Sequence, residues 1–359
     1  MDHPYASLPP TAFWSTGTAG ADPGAMHAIH RPAVRIGPAT RVATAGSCFA
    51  QHIGRALRAS GVAVLDAEPA PAFAVPLSEE RLRAFGYGLY SGRYGNIYTA
   101  RQMLQLLQEI AGGEPRTEVW MRGSRAHDAL RPNVEPWGLS HAREVMALRR
   151  AHLHALAAML AECEVFVFTL GLTEAWENRE TGLVYPVAPG VIAGSYDPDL
   201  HGFRNFRQAE VRADLEAILA LLQGFRPGMA MIVTVSPVSL SATASGEHVL
   251  TATTRSKAVL RAAAGGFAAA HPGAVDYFPS FEIVTNPAAR GAFFAPGARE
   301  VRPEGVAAVM SVFLAAQGLT EAPPAASPAA APGSHDGDEE DGGEDRVVCE
   351  EMLLDAFRR

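Results

Sequence analysis

The sequence predicts an α/β fold, a three-layer arrangement in which helices flank a mostly parallel central sheet. Three observations lead there. Short β-prone runs alternate with longer helical stretches through most of the chain. The run Glu164–Leu170 (EVFVFTL) is continuously apolar, as in a parallel strand covered on both faces. Gly46-Ser47, Gly171 and Ser236-Pro237 each follow a strand-like run directly, so turn residues gather where strands end. In such sheets function collects in the loops beyond the carboxyl ends of the strands.

Taken in order, residues 1–36 are rich in Pro, Gly and Ala and read as an irregular leader. Arg41–Ala45 is the first β-prone run, Cys48–Ala59 has a helical composition, and Val62–Leu65 reads as a second strand. Ala100–Ile110 carries a helical stripe through Met103, Leu104, Leu107 and Ile110, and Glu144–Leu160 carries another through Val145, Leu148, His152, Leu156 and Leu160. Val211, Leu215, Ile218, Leu219 and Leu222 share one face of a helix over Glu210–Leu222, with Gly224 as its stop. Met231–Val235 and Ala274–Phe278 read as strands, and Thr254–Ala264 and Glu304–Ala316 as helices. One α/β domain over 37–317 follows. Beyond it lie a Pro/Ala and acidic linker (318–346), expected to be disordered, and a short amphipathic helix (347–359) built on Val347, Val348, Met352, Leu353, Leu354 and Phe357.

Charge narrows the function classes. Across 359 residues there are 30 Lys and Arg against 38 Asp and Glu, a net charge of −8. Asp336, Asp338, Glu339, Glu340, Asp341, Glu344 and Asp345 supply all but one of those negative charges, so the body is nearly neutral. Nucleic-acid binding, which needs a surplus of Lys and Arg, is therefore not expected. The opening MDHPYASLPP lacks a basic region followed by an apolar stretch, and no run approaches the ~20 apolar residues that span a bilayer. Cys48, Cys163 and Cys349 form no CxxC pair, which argues against a disulfide framework and a cysteine zinc site. The expectation is a cytoplasmic protein with no membrane span, no cofactor and no metal.

The most informative local feature is Gly46-Ser47-Cys48-Phe49-Ala50 at a strand-to-helix junction. A glycine permits the tight turn, and a serine there faces the loop side of the sheet beside helix N–H groups that suit an oxyanion. The same serine would also make an ordinary helix N-cap. Cys48, one residue into the helix, reads as an apolar filler more readily than as a thiolate. His52 is five residues from Ser47 and off its helix face. His201 has carboxylates nearby but no second histidine at ligand spacing, and His141, His152 and His154 belong to a helix. Trp176, Asn178, Arg179, Tyr185 and Arg204-Asn205 suit a sugar-binding lid, or a loop with its rings tucked under it. Arg255 and Lys257 at a helix start are either surface charge or a site for an anionic group.

These features are joined by a resemblance. Arg41–His52, Tyr94–Thr99 (YGNIYT), Phe168–Trp176 (FTLGLTEAW), Thr234–Val238, Ser256–Arg261 and Tyr277–Glu282 resemble, in order, the blocks of the GSCFA family, which is usually placed near the SGNH/GDSL esterases. The resemblance runs from about residue 5 to 317. It implies an SGNH-hydrolase-like, flavodoxin-like fold with Ser47 in the nucleophile's place. Gly95 and Asn96 would fall where those enzymes hold an oxyanion donor, and Gly171-Leu172-Thr173-Glu174 where they carry Gly-x-Asn-Asp, with Thr173 replacing the donor Asn.

The terminal Asp-x-x-His of those enzymes is not matched: Gly297 falls at the Asp position and Glu300 at the His position. Three arrangements fit. A histidine elsewhere supplies the base, His248 being the best placed; or Glu300 does; or there is no hydrolysis. The expected function is a serine-dependent O-acyl esterase on an acylated carbohydrate or glycoconjugate, using Ser47, His248 and Glu300, with Gly95, Asn96, Gly171, Thr173, Glu174, Trp176 and Lys257 lining the oxyanion and substrate site. The alternatives are an O-acyltransferase on a polysaccharide or a non-catalytic binding protein. Its partner is a small-molecule or carbohydrate substrate, and the terminal helix offers a surface for a protein partner or for self-docking.

Overall fold

The computed structural model describes residues 3–74, 76–319 and 353–354. Strands β1 (Val42–Gly46), β4 (Val165–Leu170), β8 (Ala230–Val235) and β9 (Val275–Phe278) form a parallel sheet in that spatial order. Outside β1, Val64 makes a single parallel bridge to Val42, so the expected strand Val62–Leu65 is reduced to an edge contact. Counting that segment second, the order is 2-1-3-4-5, the flavodoxin-like one. Two further sheets are antiparallel: the hairpin β2 (Val119–Arg122) with β3 (Arg125–Asp128), and β5 (Glu174–Asn178) flanked by β6 (Val184–Tyr185) and β7 (His201–Asn205).

Helices cover both faces of the parallel sheet. On one side α3 (Ala100–Gly112), α4 (Ala142–Glu162), α5 (Gln208–Phe225) and α6 (Val249–Ala270) bury Leu107, Leu156, Leu215 and Leu260 against Phe166, Phe168, Met231 and Val233. On the other, α1 (Ala50–Ala59) and α8 (Pro303–Gln317) pack Ile53, Leu57, Val309 and Phe313 on Val42, Val165, Val167 and Ile232. Alternate residues of each strand thus serve opposite cores, and this is why these strands read as unbroken apolar runs. The short α2 (Glu79–Ala84) and α7 (Ser280–Val284) complete the set. Thr99 opens α3 with a capping box: its hydroxyl accepts from the Gln102 amide at 3.2 Å, and the Gln102 side chain accepts from the Thr99 amide at 2.9 Å.

Two expectations change in detail. α5 runs through Gly224 to Phe225, and α6 extends to Ala270 through Gly265 and Gly266. Burial of one face against β8, β9 and each other holds both helices past the glycines, whose cost of about 1 kcal/mol is small beside that packing. The leader is irregular, as expected, but its end is pinned. Asp276 of β9 accepts from the Ala33 amide at 3.1 Å and pairs with His30 at 3.4 Å, while Gln317 of α8 bonds both Ile36 and Val34. The expected linker from residue 320 and the terminal helix lie outside the described residues, apart from Leu353 and Leu354. Among the described residues no helix is long and apolar enough to cross a membrane.

A buried ionic network ties the β2–β3 hairpin to α3 and α4. Arg149, fully buried, forks onto Glu109 and lies 3.5 Å from Asp128; Arg131 pairs with Asp128 at 2.9 Å, and His152 Nδ1 lies 2.7 Å from Glu68. Burial would raise the Glu68 carboxyl, but the bond to His152 and the Arg131 charge overcome it and hold it at about 2. Asp128 is also held at about 2, because Arg149 and Arg131 outweigh its burial. Burial, helped by Arg131, lowers His152 to about 3.

All three groups bind protons more readily unfolded, where carboxylates titrate near 4 and histidine near 6.5. Stability is therefore greatest above about pH 6.5 and falls as pH drops toward 2. Urea unfolding at pH 7, 5.5 and 4 should give a steadily falling midpoint; a midpoint that does not move over that range would refute this assignment.

Candidate functional site

β1 ends at Gly46, whose φ of 139° is closed to residues with a side chain. A Cβ there would strike the Thr169 carbonyl and come within 2.7 Å of the Thr169 amide. The glycine lets the end of β1 press against the end of β4, and the Ser47 amide then donates to Thr169 O at 3.0 Å. Gly171, just past β4, completes the contact: a Cβ on it would lie 2.9 Å from Ser47 Cβ. Gly171 and Leu172 both donate to the Tyr98 carbonyl at 2.9 Å, and Ile97 donates to Gly46 O at 2.9 Å. The three loops after β1, before α3 and after β4 are thereby sewn together.

Within this junction Ser47 is 2% exposed, and its Oγ has no hydrogen-bond partner among the described residues. The helix behind it begins at Ala50 with Phe49 as its N-cap, and no side chain caps it. Ser47 is therefore not the cap of α1. A buried hydroxyl left without a partner costs about 1–3 kcal/mol; the Thr44 and Thr169 hydroxyls share that state inside the sheet, and Ser47 differs from them in standing just past the end of β1.

Around Ser47 the structure assembles several of the expected residues. Tyr90 OH donates to the Ser47 carbonyl at 3.2 Å and also to Asn96 Oδ1. Gln51 Nε2 donates to Tyr90 OH at 3.2 Å and to Asn96 Oδ1 at 3.4 Å. Gly95, at φ 71°, makes the turn that brings Asn96 there. Lys257 of α6 is 2% exposed and its Nζ donates to the Gly171 carbonyl at 2.7 Å, so an ammonium abuts the residue packed on Ser47. Thr173 is fully buried; its hydroxyl donates to Asn205 Oδ1 at 2.8 Å and its amide to Ser256 Oγ at 3.0 Å.

Other expected residues stand elsewhere. His248 is exposed and is the N-cap of α6, where its Nδ1 accepts from the Leu250 amide at 3.2 Å. It precedes Lys257 by nine helical positions, about 13 Å of rise. Glu300 is exposed in the turn closed by the Phe294–Val301 bridge, and its recorded bond is a backbone one, accepting from the Ala295 amide at 2.9 Å. Glu174 holds a different place: Thr243 donates to its carboxylate at 2.8 Å, and burial raises its pKa against that bond. Trp176 is half-buried, edge-on to Tyr196 and Phe203 at 5.3 and 5.8 Å between ring centres. The described residues contain no group of three or more His, Cys, Asp or Glu that could hold a metal.

Sequence reasoning missed Tyr90, Gln51, Tyr98 and Leu240. Gln51 had a signal, lying four residues from Ser47 on α1, on the helix's near face. Leu240 had none: it comes from an irregular stretch, 236–248, and packs in a small separate cluster with Tyr98 and Leu172.

The model of the GSCFA family matches residues 41–313. The chain belongs to the GSCFA family. No curated protein matches it. The GSCFA pentapeptide, Gly46–Ala50, is thus the strand-end turn that carries the partnerless hydroxyl, and the family match spans every loop just described.

Gly46→Ala, which combines a forbidden φ with a backbone collision, should cost more than about 3 kcal/mol. Urea unfolding checks it, and a loss below about 1 kcal/mol would mean the two strand ends can part.

Proposed function

We propose that this GSCFA protein is a serine-dependent O-acyl esterase working on an acylated carbohydrate or glycoconjugate in the cytoplasm. The observation that carries the reading is Ser47 Oγ: buried, committed to no bond and no cap, and set at the carboxyl edge of the sheet. Ser47 Oγ would bond to the acyl carbon, and the sugar oxygen would leave with the serine's proton. Water would then take the acyl group and return a proton to Ser47. Were a second sugar hydroxyl to replace that water, the same steps would make an acyltransferase. The Lys257 ammonium, in a site largely shielded from water, supports the negative charge that develops on the acyl oxygen. The half-buried Trp176 and the half-exposed Tyr196 ring offer faces for a sugar.

Ser47 must be uncovered to react. The segment 236–248 is the lid this reading calls for: it carries no helix or strand, and its Leu240 rests on Tyr98 and Leu172, whose backbones bond each other beside Gly171. Its beginning is tied by the Ser236 amide to Leu170 O at 2.8 Å and by Val238 against the core, while its middle is held by the Leu240 amide to Thr253 Oγ1 at 3.3 Å and Thr243 to Glu174. A long stretch without secondary structure over a site is characteristic of a lid. His248 closes this segment, so lid movement is also what would carry that histidine inward as base.

A second reading rests on a different fact. His248 and Glu300 are both exposed, His248 caps α6 and Glu300 sits in the Phe294–Val301 turn, and a serine without a base is a weak nucleophile. This favours a protein that binds acyl esters on the same scaffold without cleaving them.

A fluorophosphonate probe and p-nitrophenyl acetate separate the two. Under the first reading the probe labels wild type, Ser47→Ala abolishes both labelling and turnover, and neither Tyr90 nor Lys257 is modified. Leu240→Ala, by loosening the lid, should speed labelling of Ser47 several-fold. Absence of labelling and turnover in both wild type and Leu240→Ala would leave the binding reading in its place.

A further inference from the structure

A cleft borders Lys257, one residue removed from Ser47 through Gly171. It lies past the carboxyl ends of β8 and β9, with a volume of about 470 Å³, between α6, α7, the Pro237 end of the lid and Phe294. That volume is in the range of small-molecule sites.

Its chemistry is graded. Thr254, Ala258 and Ala262 fall at i, i+4 and i+8 on α6 and give the cleft a floor of small groups, all three exposed. Phe281 and Phe294 wall the other side. Arg261 also borders it, but its guanidinium is paired with Glu282 and lies 4.1 Å from the centre of the Tyr277 ring, so that wall carries no net charge. The inner border is Lys257, the residue whose ammonium bonds Gly171 against Ser47. The cleft therefore combines apolar walls with a cationic border at Lys257, and Gly171 alone stands between that ammonium and Ser47.

We propose that this cleft holds the acyl chain of the substrate, with the carbonyl end at Lys257 and Ser47, and that it selects a medium-length or aromatic acyl group over acetyl. The proposal rests on acyl esters being the substrates, and deepens that reading by naming which acyl groups. An acetyl group would leave most of the cleft to water, whereas each buried methylene adds the usual hydrophobic gain. The 236–248 segment touches both places: Pro237 and Ser239 line the cleft, and Leu240 packs on Tyr98 and Leu172.

The test uses the full chain and carboxylates of two to eight carbons, with benzoate as the aromatic probe, measured by titration calorimetry. In wild type and in Ser47→Ala alike, affinity should rise about three- to fourfold per methylene from butyrate to octanoate. Ala258→Trp fills the floor from an exposed helix face and should weaken octanoate at least tenfold; Thr254→Trp is the second filling variant, and thermal melts verify that both fold. Equal affinity across chain lengths, or octanoate binding unchanged in both filled variants, overturns the proposal. Chain-length-dependent binding without turnover or labelling would retire the esterase reading and keep the cleft. Turnover with the same kcat/KM for acetyl and octanoyl p-nitrophenyl esters, unaltered in Ala258→Trp, would retire the cleft and keep the esterase.

Discussion

The site depends on one close approach between two strand ends. β1 and β4 pair in register up to Gly46 opposite Thr169, and there the chain of β1 must turn away without room for a side chain. Gly46 supplies the turn, Gly171 supplies the space on the other side, and Ser47 is held between them with its amide on Thr169. The neighbouring segments are tied to this contact: Ile97 bonds Gly46, Tyr98 receives Gly171 and Leu172, and Lys257 of α6 bonds Gly171. A backbone contact of this kind holds position more firmly than side-chain packing, because it leaves no rotamer to relax.

Support for that contact comes from polar groups under the loops. Tyr90, Gln51 and Asn96 form one hydrogen-bonded set on the Ser47 carbonyl, and the Arg149, Asp128, Arg131 and Glu68 network fixes the hairpin and the segment before Tyr90 to α3 and α4. Buried ion pairs of this sort add little net stability, since desolvation offsets their attraction, but they penalise any arrangement that separates them. Their effect here is to specify where the 85–98 loop lies. By contrast the 236–248 segment carries no helix or strand and is held by two apolar residues, Val238 and Leu240, and a few hydrogen bonds near 3 Å.

Much of the fold could be read from residue order. The apolar runs at 165–170 and 231–235, the helical stripes in α3, α4 and α5, and Gly46-Ser47 at a strand end all appear where expected. The β2–β3 hairpin and the β5–β6–β7 sheet did not, because strands such as RAHD and HGFRN have no apolar alternation. They are held by pairing and by an ionic network that closes only in three dimensions. The Val62–Leu65 run shows the opposite case: its β-propensity is real, but at the sheet edge only Val64 finds a partner.

By itself the sequence determined the fold class, the family and the position of the serine, because these depend on local periodicity and on a glycine that permits one turn. Tertiary structure decided what the serine's neighbours are. Ser47 and Lys257 are far apart in sequence and meet across Gly171, while His248, nearer to Lys257 along the chain, is carried away from it by the rise of α6. Whether Ser47 acts as a cap or stands without a bond was also decided there, since a hydroxyl's partners are set by packing and not by its place in a motif. A motif fixes which groups the chain carries to a strand end; only the packed loops fix which of them share a site.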